Sequence, residues 1–114
     1  MQTMSKLEKA FWAFHYRNPH IYANLVELSR QWRRKRPTSR LGIAALFERL
    51  RWDIMVQTDG AEFKLNNGLR AFYARWIMYN NHDLQGLFQI NKQREVFSYQ
   101  PMSIETLMEE TETE

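Results

Sequence analysis

The sequence predicts a mainly α fold: a single small helical domain with one short β-hairpin, arranged like a winged helix-turn-helix. Its 114 residues suit one domain with one core. Apolar residues recur at helical spacing in four segments, and Asp59-Gly60 marks a tight turn of the kind that joins two short strands. We expect the helical domain over residues 1–100, with the hairpin near residues 55–65, and an acidic, flexible tail over residues 101–114.

Capping residues define the first two predicted helices. Thr3 or Ser5 can begin the first helix, which runs to residue 17. Asn18-Pro19 places a preferred N-cap residue before a proline at the first helical position, and so begins the second helix. Arg36-Pro37 ends it, because proline disfavours helix at the residue before it. The residues predicted to face inward are Leu7, Ala10, Phe11 and Phe14 in the first helix, and Ile21, Leu25, Leu28 and Trp32 in the second.

The third and fourth helices are predicted in the same way. The third is expected over about residues 39–54, begun by Thr38 or Ser39, and the fourth from Asn66-Asn67 to about Tyr79. The inward residues are Ile43, Leu46, Phe47, Leu50 and Ile54 in the third helix, and Leu69, Phe72, Tyr73 and Trp76 in the fourth.

The composition excludes several kinds of site. The chain has no cysteine, so it has no disulfide, thiolate zinc site or iron–sulfur cluster. Its three histidines are not spaced for a helical zinc site, and its four glycines are too dispersed for a phosphate loop. No apolar run approaches the roughly 20 residues of a membrane span, and Met1–Lys9 lacks a signal-peptide core. We therefore expect a soluble cytoplasmic protein without cofactor or metal.

One pattern resembles a catalytic site. Asp53, followed by Glu62-Phe63-Lys64, matches the Asp…Glu-x-Lys arrangement in which metal-dependent nucleases hold Mg²⁺ and support the attacking water. That chemistry needs adjacent strands, whereas Asp53 falls near the end of a predicted helix. We therefore expect no catalytic residues and no enzymatic activity.

Charge is segregated along the chain. All 16 basic residues lie within residues 1–94, with seven acidic ones, whereas residues 95–114 hold six acidic residues and no basic one. Eight of the basic residues lie between Arg30 and Arg51, where Glu48 is the one acidic residue. Such density favours a polyanionic partner, nucleic acid first.

The order of elements gives this basic segment a place in the fold. A turn of about three residues (36–38) between the second and third helices, with a hairpin after the third, is the order of a winged helix-turn-helix. This arrangement predicts a small DNA-binding regulator, with DNA a more favoured partner than RNA. The residues predicted to contact phosphates at the turn are Arg30, Arg33, Arg34, Lys35, Arg36 and Arg40. Ser39 is predicted to make polar contacts near bases, and Lys64 is predicted to contact a phosphate from the wing.

A protein-binding role is the alternative. The face of the third helix opposite its apolar stripe carries Leu41, Ala45 and Trp52, where a base-reading helix usually exposes polar side chains. This helix is then a central one, buried on two sides, or part of an interface with a host protein of defence or replication. The residues of that interface, or of a homodimer, would be Trp52 and the tail residues Ile104, Leu107 and Met108.

Four short strings carry a family resemblance: Asn18-Pro19-His20-Ile21-Tyr22, Gly42-Ile43-Ala44-Ala45-Leu46-Phe47-Glu48-Arg49-Leu50-Arg51-Trp52, Phe63-Lys64-Leu65-Asn66-Asn67 and Tyr73-Ala74-Arg75. They resemble small uncharacterised proteins encoded by bacteriophages and prophages, over roughly residues 10–94. The resemblance implies a setting in a bacterial host cell, where such short genes largely encode regulators and inhibitors of host proteins. It implies no functional residues, because that group has no assigned activity.

Overall fold

The computed structural model describes residues 5–57, 67–89, 97–103 and 105–106. These residues form four α-helices and one short 3₁₀ helix, so the predicted mainly helical fold is confirmed. Within the described ranges, no helix combines the length and apolar character that crossing a bilayer requires. The helices are α1 (Lys6–Arg17), α2 (Pro19–Lys35), α3 (Ile43–Gln57), α4 (Asn67–Asn80) and the 3₁₀ helix His82–Leu84.

The predicted hairpin falls mostly outside the described residues. Residues 55–57, which were expected to begin its first strand, form the last turn of α3 instead. Residues 58–65 lie outside the described ranges, as do Ile104 and residues 107–114 of the predicted tail. Where the structure describes the chain, its β-pairing is a single parallel bridge between Leu41 and Phe88.

α4 is the central helix of the fold. It contacts α1, α2, α3 and the 3₁₀ helix. Its buried residues include all four that its apolar spacing predicts, and they surround the helix: Leu69, Phe72, Tyr73, Ala74, Arg75, Trp76 and Ile77. A central position for the third helix is therefore a wrong prediction. α3 buries Leu46, Phe47 and Leu50, and its other residues between positions 44 and 52 are exposed.

The joint between α1 and α2 uses the predicted residues with one difference. Ser5 is the N-cap of α1, where its hydroxyl accepts a hydrogen bond from the Glu8 backbone N–H (3.1 Å). Asn18 and Pro19 stand at the predicted N-cap and first position of α2. The Asn18 side chain, however, makes no hydrogen bond to α2; it donates to the Phe14 carbonyl (3.1 Å) and so closes the end of α1.

The connection between α2 and α3 differs most from the prediction. It spans seven residues, 36–42, rather than about three, and α3 begins at Ile43 rather than near residue 39. The cause is Leu41, which is buried and whose N–H donates to the Leu87 carbonyl (2.9 Å). Because this pairing extends the chain, Thr38 and Ser39 cannot begin the helix. The helix-turn-helix geometry is not observed.

Aromatic side chains from α1, α4 and residues 97–99 fill the main core. The Phe97 ring stacks on Phe72 (centroids 4.8 Å apart) and on Trp12 (5.8 Å), which ties residue 97 to both helices. His15 lies at the edge of this core, half-buried, with its Nδ1 buried and without a hydrogen-bond partner among the described residues.

Protonation of His15 is expected to destabilise the fold. Burial lowers the pKa of His15 below its ordinary value of 6.5, because the charged imidazolium would lose its hydration. The unfolded chain then binds this proton more readily than the folded one. The stability of the fold with neutral His15 is therefore fully present above pH 6.5, and it decreases as the pH falls below that value and His15 becomes protonated. Denaturant unfolding at about pH 7.5 and about pH 5 should show it, with the lower stability at the lower pH.

The matched variant for this measurement is His15→Gln, which removes the titration but keeps a polar side chain of similar length. We expect its stability to change less between the two pH values than that of the wild type. An equal change in both proteins would show that other groups cause the dependence.

Candidate nucleic-acid interface

Six of the seven predicted phosphate-binding residues, all except Lys64, lie in one stretch of structure, here called the basic corner (residues 30–42). It comprises the last turns of α2 and the whole connection to α3. Its backbone is held by hydrogen bonds at the end of α2 and by the pairing of Leu41 at the other end. The basic side chains are therefore presented by an ordered segment.

Trp32 is the centre of the turn that ends α2. The Arg36 N–H donates to the Trp32 carbonyl (2.8 Å), and the next residue, Pro37, cannot donate to continue the helix. The chain folds back so that the Trp32 indole N–H donates to the Ser39 carbonyl (3.3 Å). The Arg36 guanidinium lies over the same indole, 5.4 Å from the ring centroid, in a cation–π contact. Trp32 thus holds both the turn and one of its cations.

Arg33 has a structural role at the corner. Its guanidinium donates to the Pro37 carbonyl (3.2 Å) and to the Gln85 carbonyl (2.9 Å), so it joins α2, the connection and the turn after the 3₁₀ helix. Its Nε is buried without a hydrogen-bond partner in the described part of the chain. Carbonyls are neutral, so these bonds orient the charge of Arg33 without cancelling it.

Arg30 is paired with an acidic residue of the protein itself. Its Nε lies 3.0 Å from Asp83 Oδ2, and its Nη2 donates to Asn81 Oδ1 (2.9 Å). The hydrogen bond to Asp83 raises the pKa of Arg30, and the same bond lowers the pKa of Asp83. Both groups are therefore charged at neutral pH, and the net charge of the pair is zero.

Arg34 makes a longer and more exposed ion pair. Its Nη2 is 3.7 Å from Glu27 Oε1, and the two side chains are 64% and 60% exposed. Solvent and salt screen such a pair strongly, so Glu27 offsets the charge of Arg34 only weakly.

Three cations of the corner have no acidic partner in the part of the chain that the structure describes. Lys35, Arg36 and Arg40 are exposed, and none forms an ion pair with a residue that the structure describes. Lys35 ends α2, and the other two lie in the connection. Ser39 is exposed beside them; its backbone N–H donates to the Arg36 carbonyl (3.2 Å), which closes the turn. Ser39 is not at a helix N-terminus, contrary to the prediction.

The other predicted contact residues lie outside the basic corner. Trp52 lies on α3 with 66% of its side chain exposed, whereas Lys64, Ile104, Leu107 and Met108 lie outside the described ranges. Glu62 and Lys64 of the nuclease-like pattern also lie outside the described ranges. Among the described residues, no three metal-ligating side chains lie close enough together to hold a metal ion.

Sequence reasoning missed three residues that shape the corner: Trp32, Asp83 and Gln85. Trp32 was expected in the core, but it is half-buried under Arg36. The spacing of four residues between an aromatic and an arginine on one helix could have indicated this contact. Asp83 and Gln85 reach the corner from more than 50 residues away in sequence, and no local pattern indicates such contacts.

Comparison with known proteins adds no relative: no family model, no curated protein and no solved structure matches this chain. The function must therefore be inferred from the geometry and charge of the basic corner.

Proposed function

We propose that this protein binds nucleic acid without catalysing a reaction, through phosphate contacts at the basic corner. The observation that carries the proposal is the group of three exposed cations, Lys35, Arg36 and Arg40, that have no acidic partner in the described structure. Arg33 and Arg34 add two further positive charges beside them. Closely spaced cations on an ordered backbone attract the regularly spaced phosphates of a nucleic acid strand.

Stabilisation of α2 explains only part of this cluster. Arg33, Arg34 and Lys35 occupy the last turn of α2, where positive charge interacts favourably with the negative end of the helix dipole. That effect decays within the last turn, so it does not explain Arg40 in the connection. Arg40 is therefore the residue whose charge a phosphate-binding role accounts for best.

The proposed contact is to the phosphate backbone and does not use a recognition helix. The exposed positions in the first turn of α3 are Ala44 and Ala45, which offer no donors or acceptors to base edges. Backbone contacts alone bind many sequences with similar affinity. Within the setting that the phage resemblance implies, we propose an accessory protein that associates with nucleic acid of varied sequence.

Charge reversal at the corner is expected to weaken binding strongly. For Arg40→Glu, we expect the affinity for a fluorescent oligonucleotide to fall about tenfold in about 50 mM salt, because a phosphate contact is replaced by repulsion. The slope of log affinity against log salt should also decrease by about one. Fluorescence anisotropy titrations at several salt concentrations measure both quantities, for a duplex and for a single strand.

Arg17→Glu is the matched control for charge. It makes the same change in net charge at the last residue of α1, next to the start of α2, and α2 extends about 24 Å from there to the basic corner. We expect it to reduce affinity much less than Arg40→Glu. Equal losses in the two variants would assign the attraction to net charge alone. If the wild type binds neither nucleic acid at protein concentrations up to about 100 µM in low salt, the proposed function is wrong.

A protein-binding role remains the second candidate, and the exposure of Trp52 favours it. A large aromatic side chain that is 66% exposed on a helix is a common anchor of protein interfaces. Capture of a stoichiometric, nuclease-resistant partner from a bacterial host lysate, lost in Trp52→Ala, would support this role as an inhibitor or interaction module.

A further inference from the structure

Trp52 and Tyr79 are the two large apolar side chains that are strongly exposed among the described residues. Their surroundings differ. The Tyr79 ring is covered on one side by Tyr99, with centroids 4.7 Å apart. Trp52 makes no ring contact with a described residue. Its indole is therefore an open aromatic surface.

The neighbours of Trp52 on α3 carry charges of both signs. Arg51 precedes it directly and is exposed, with no ion pair to a described residue. Arg49, three residues before Trp52, lies on the same side of the helix and is also exposed. Glu48, one turn before Trp52, is exposed on the same side, and Asp53 follows Trp52 directly on α3. An exposed aromatic ring beside an exposed arginine such as Arg51 is a surface on which a nucleic acid base can stack while a phosphate contacts the guanidinium group.

Trp52 lies on α3, which begins directly after the basic corner. Trp52 lies two turns after Ala45, on the same face of the helix, and both residues are exposed. The rise from Ile43 to Trp52 is about 14 Å, the length of about four nucleotides at 3.4 Å per residue of strand. A strand that leaves Arg40 along this face can therefore place a base on Trp52 within a few nucleotides.

A duplex does not fit this arrangement of contacts. In a duplex the bases are stacked on one another and their faces are inaccessible, so an aromatic side chain on a helix surface can stack only on an unpaired base. The first exposed residues of α3, Ala44 and Ala45, offer no base-edge contacts that would compensate.

We propose that the ligand of this surface is single-stranded nucleic acid, with phosphates at Lys35, Arg36 and Arg40 and an unpaired base stacked on Trp52. This inference rests on the proposed function and specifies its ligand. Because stacking and phosphate contacts make no use of the sugar 2′-hydroxyl, the surface binds DNA and RNA strands alike. We therefore no longer expect the protein to prefer DNA over RNA.

The test is an anisotropy titration with a labelled oligothymidylate of about 12 nucleotides and with a duplex of the same length, in about 50 mM salt. We expect the wild type to bind the single strand more tightly than the duplex. For Trp52→Ala, the affinity for the single strand should fall about 5- to 150-fold, whereas the affinity for the duplex should change by less than about twofold. Trp52→Phe, which keeps an aromatic ring, should retain most of the affinity.

Tyr79→Ala is the matched control, because it removes the other strongly exposed ring, on α4. We expect it to leave single-strand binding unchanged. Circular dichroism and denaturant unfolding of each variant confirm that the fold is intact; Trp52 is exposed, so its removal should change stability little.

The outcomes separate the inference from the proposed function. Single-strand binding that is equal in the wild type and Trp52→Ala would overturn the stacking role and leave phosphate binding at the corner. Tighter binding of the duplex would overturn the single-strand assignment. Failure to bind either probe would overturn the inference together with the proposed function. A host protein whose capture depends on Trp52, with oligonucleotide binding unaffected by that residue, would assign Trp52 to a protein interface instead.

Discussion

Replacing Phe11 with alanine is expected to lower the free energy of unfolding by about 3–5 kcal/mol. Phe11 is fully buried, and its ring makes edge contacts with five other aromatic rings at centroid distances of 4.6–5.8 Å. Those rings come from α1, α4 and residue 97, so the substitution opens a cavity where three segments meet. They are Trp12, Phe72, Tyr73, Trp76 and Phe97.

The size of this effect is large relative to the total stability of a small domain, which is about 5–15 kcal/mol. Urea unfolding followed by far-UV circular dichroism measures it, because the midpoint should fall while the slope with denaturant stays constant. Trp52→Ala removes an even larger ring from an exposed position and should change stability by less than about 0.5 kcal/mol. Similar losses for the two variants would mean that Phe11 is not at the centre of the core.

Local sequence patterns predicted the helices and most of their buried residues, although Ala10, predicted to face inward, is exposed. The residues of α4 with helical apolar spacing, Leu69, Phe72, Tyr73 and Trp76, are all buried. This success has a physical reason: the period of a helix and the requirement to bury one face act on neighbouring residues, so the information is contained in a short stretch of sequence.

The errors concern contacts between residues that are distant in sequence. α3 begins four residues later than predicted because Leu41 pairs with residues 87 and 88. This long-range pairing outweighs the local capping preference of Thr38 and Ser39, and no pattern near residue 41 indicates it. The position of Trp52 is a related case, because periodicity indicates that it lies opposite the apolar stripe but not whether another helix covers it.

The candidate site was predicted in its location but only partly in its chemistry. Counting charges correctly placed a basic cluster at the end of α2 and in the connection that follows. It could not show that Asp83 neutralises Arg30 or that Arg33 is held by two carbonyls, since those partners lie more than 50 residues away or on the backbone. A count of basic residues therefore overestimates the number available to a ligand.

Glu8 is the clearest example of a residue whose role depends on a distant partner. Its side chain is 2% exposed, although α1 also has an exposed face on which a glutamate would be solvated. One carboxylate oxygen accepts from the Trp12 indole N–H (3.0 Å) and from the Ser98 hydroxyl, and the other accepts from the Ser98 backbone N–H (3.1 Å). Two turns further along α1, the Tyr16 hydroxyl donates to the Met102 carbonyl. Glu8 and Tyr16 thus connect residues 98–102 to α1.

Glu8→Ala is expected to lower the free energy of unfolding by about 2–4 kcal/mol. The substitution leaves the buried Trp12 indole N–H and the Ser98 backbone N–H without their acceptor, and each unsatisfied buried donor is destabilising. We also expect the amide of Ser98 to exchange with solvent faster, because local opening of residues 97–102 no longer breaks a hydrogen bond. Urea unfolding and hydrogen-exchange mass spectrometry measure the two effects.

Two variants separate the roles of the acceptor and the donor. Glu8→Gln keeps one acceptor oxygen and should lose roughly half as much stability as Glu8→Ala. Ser98→Ala removes the hydroxyl, which donates to Glu8 and accepts from the Gln100 backbone N–H (3.2 Å), and keeps the Ser98 backbone donor, so we expect a loss of about 0.5–1.5 kcal/mol. The contrary result is that the amide of residue 98 exchanges no faster in Glu8→Ala than in the wild type. This result would mean that packing of the Phe97 ring against Phe72 and Trp12 is sufficient to hold the segment without the carboxylate. Faster exchange with an intact aromatic core would show that the segment is fixed by its polar contacts.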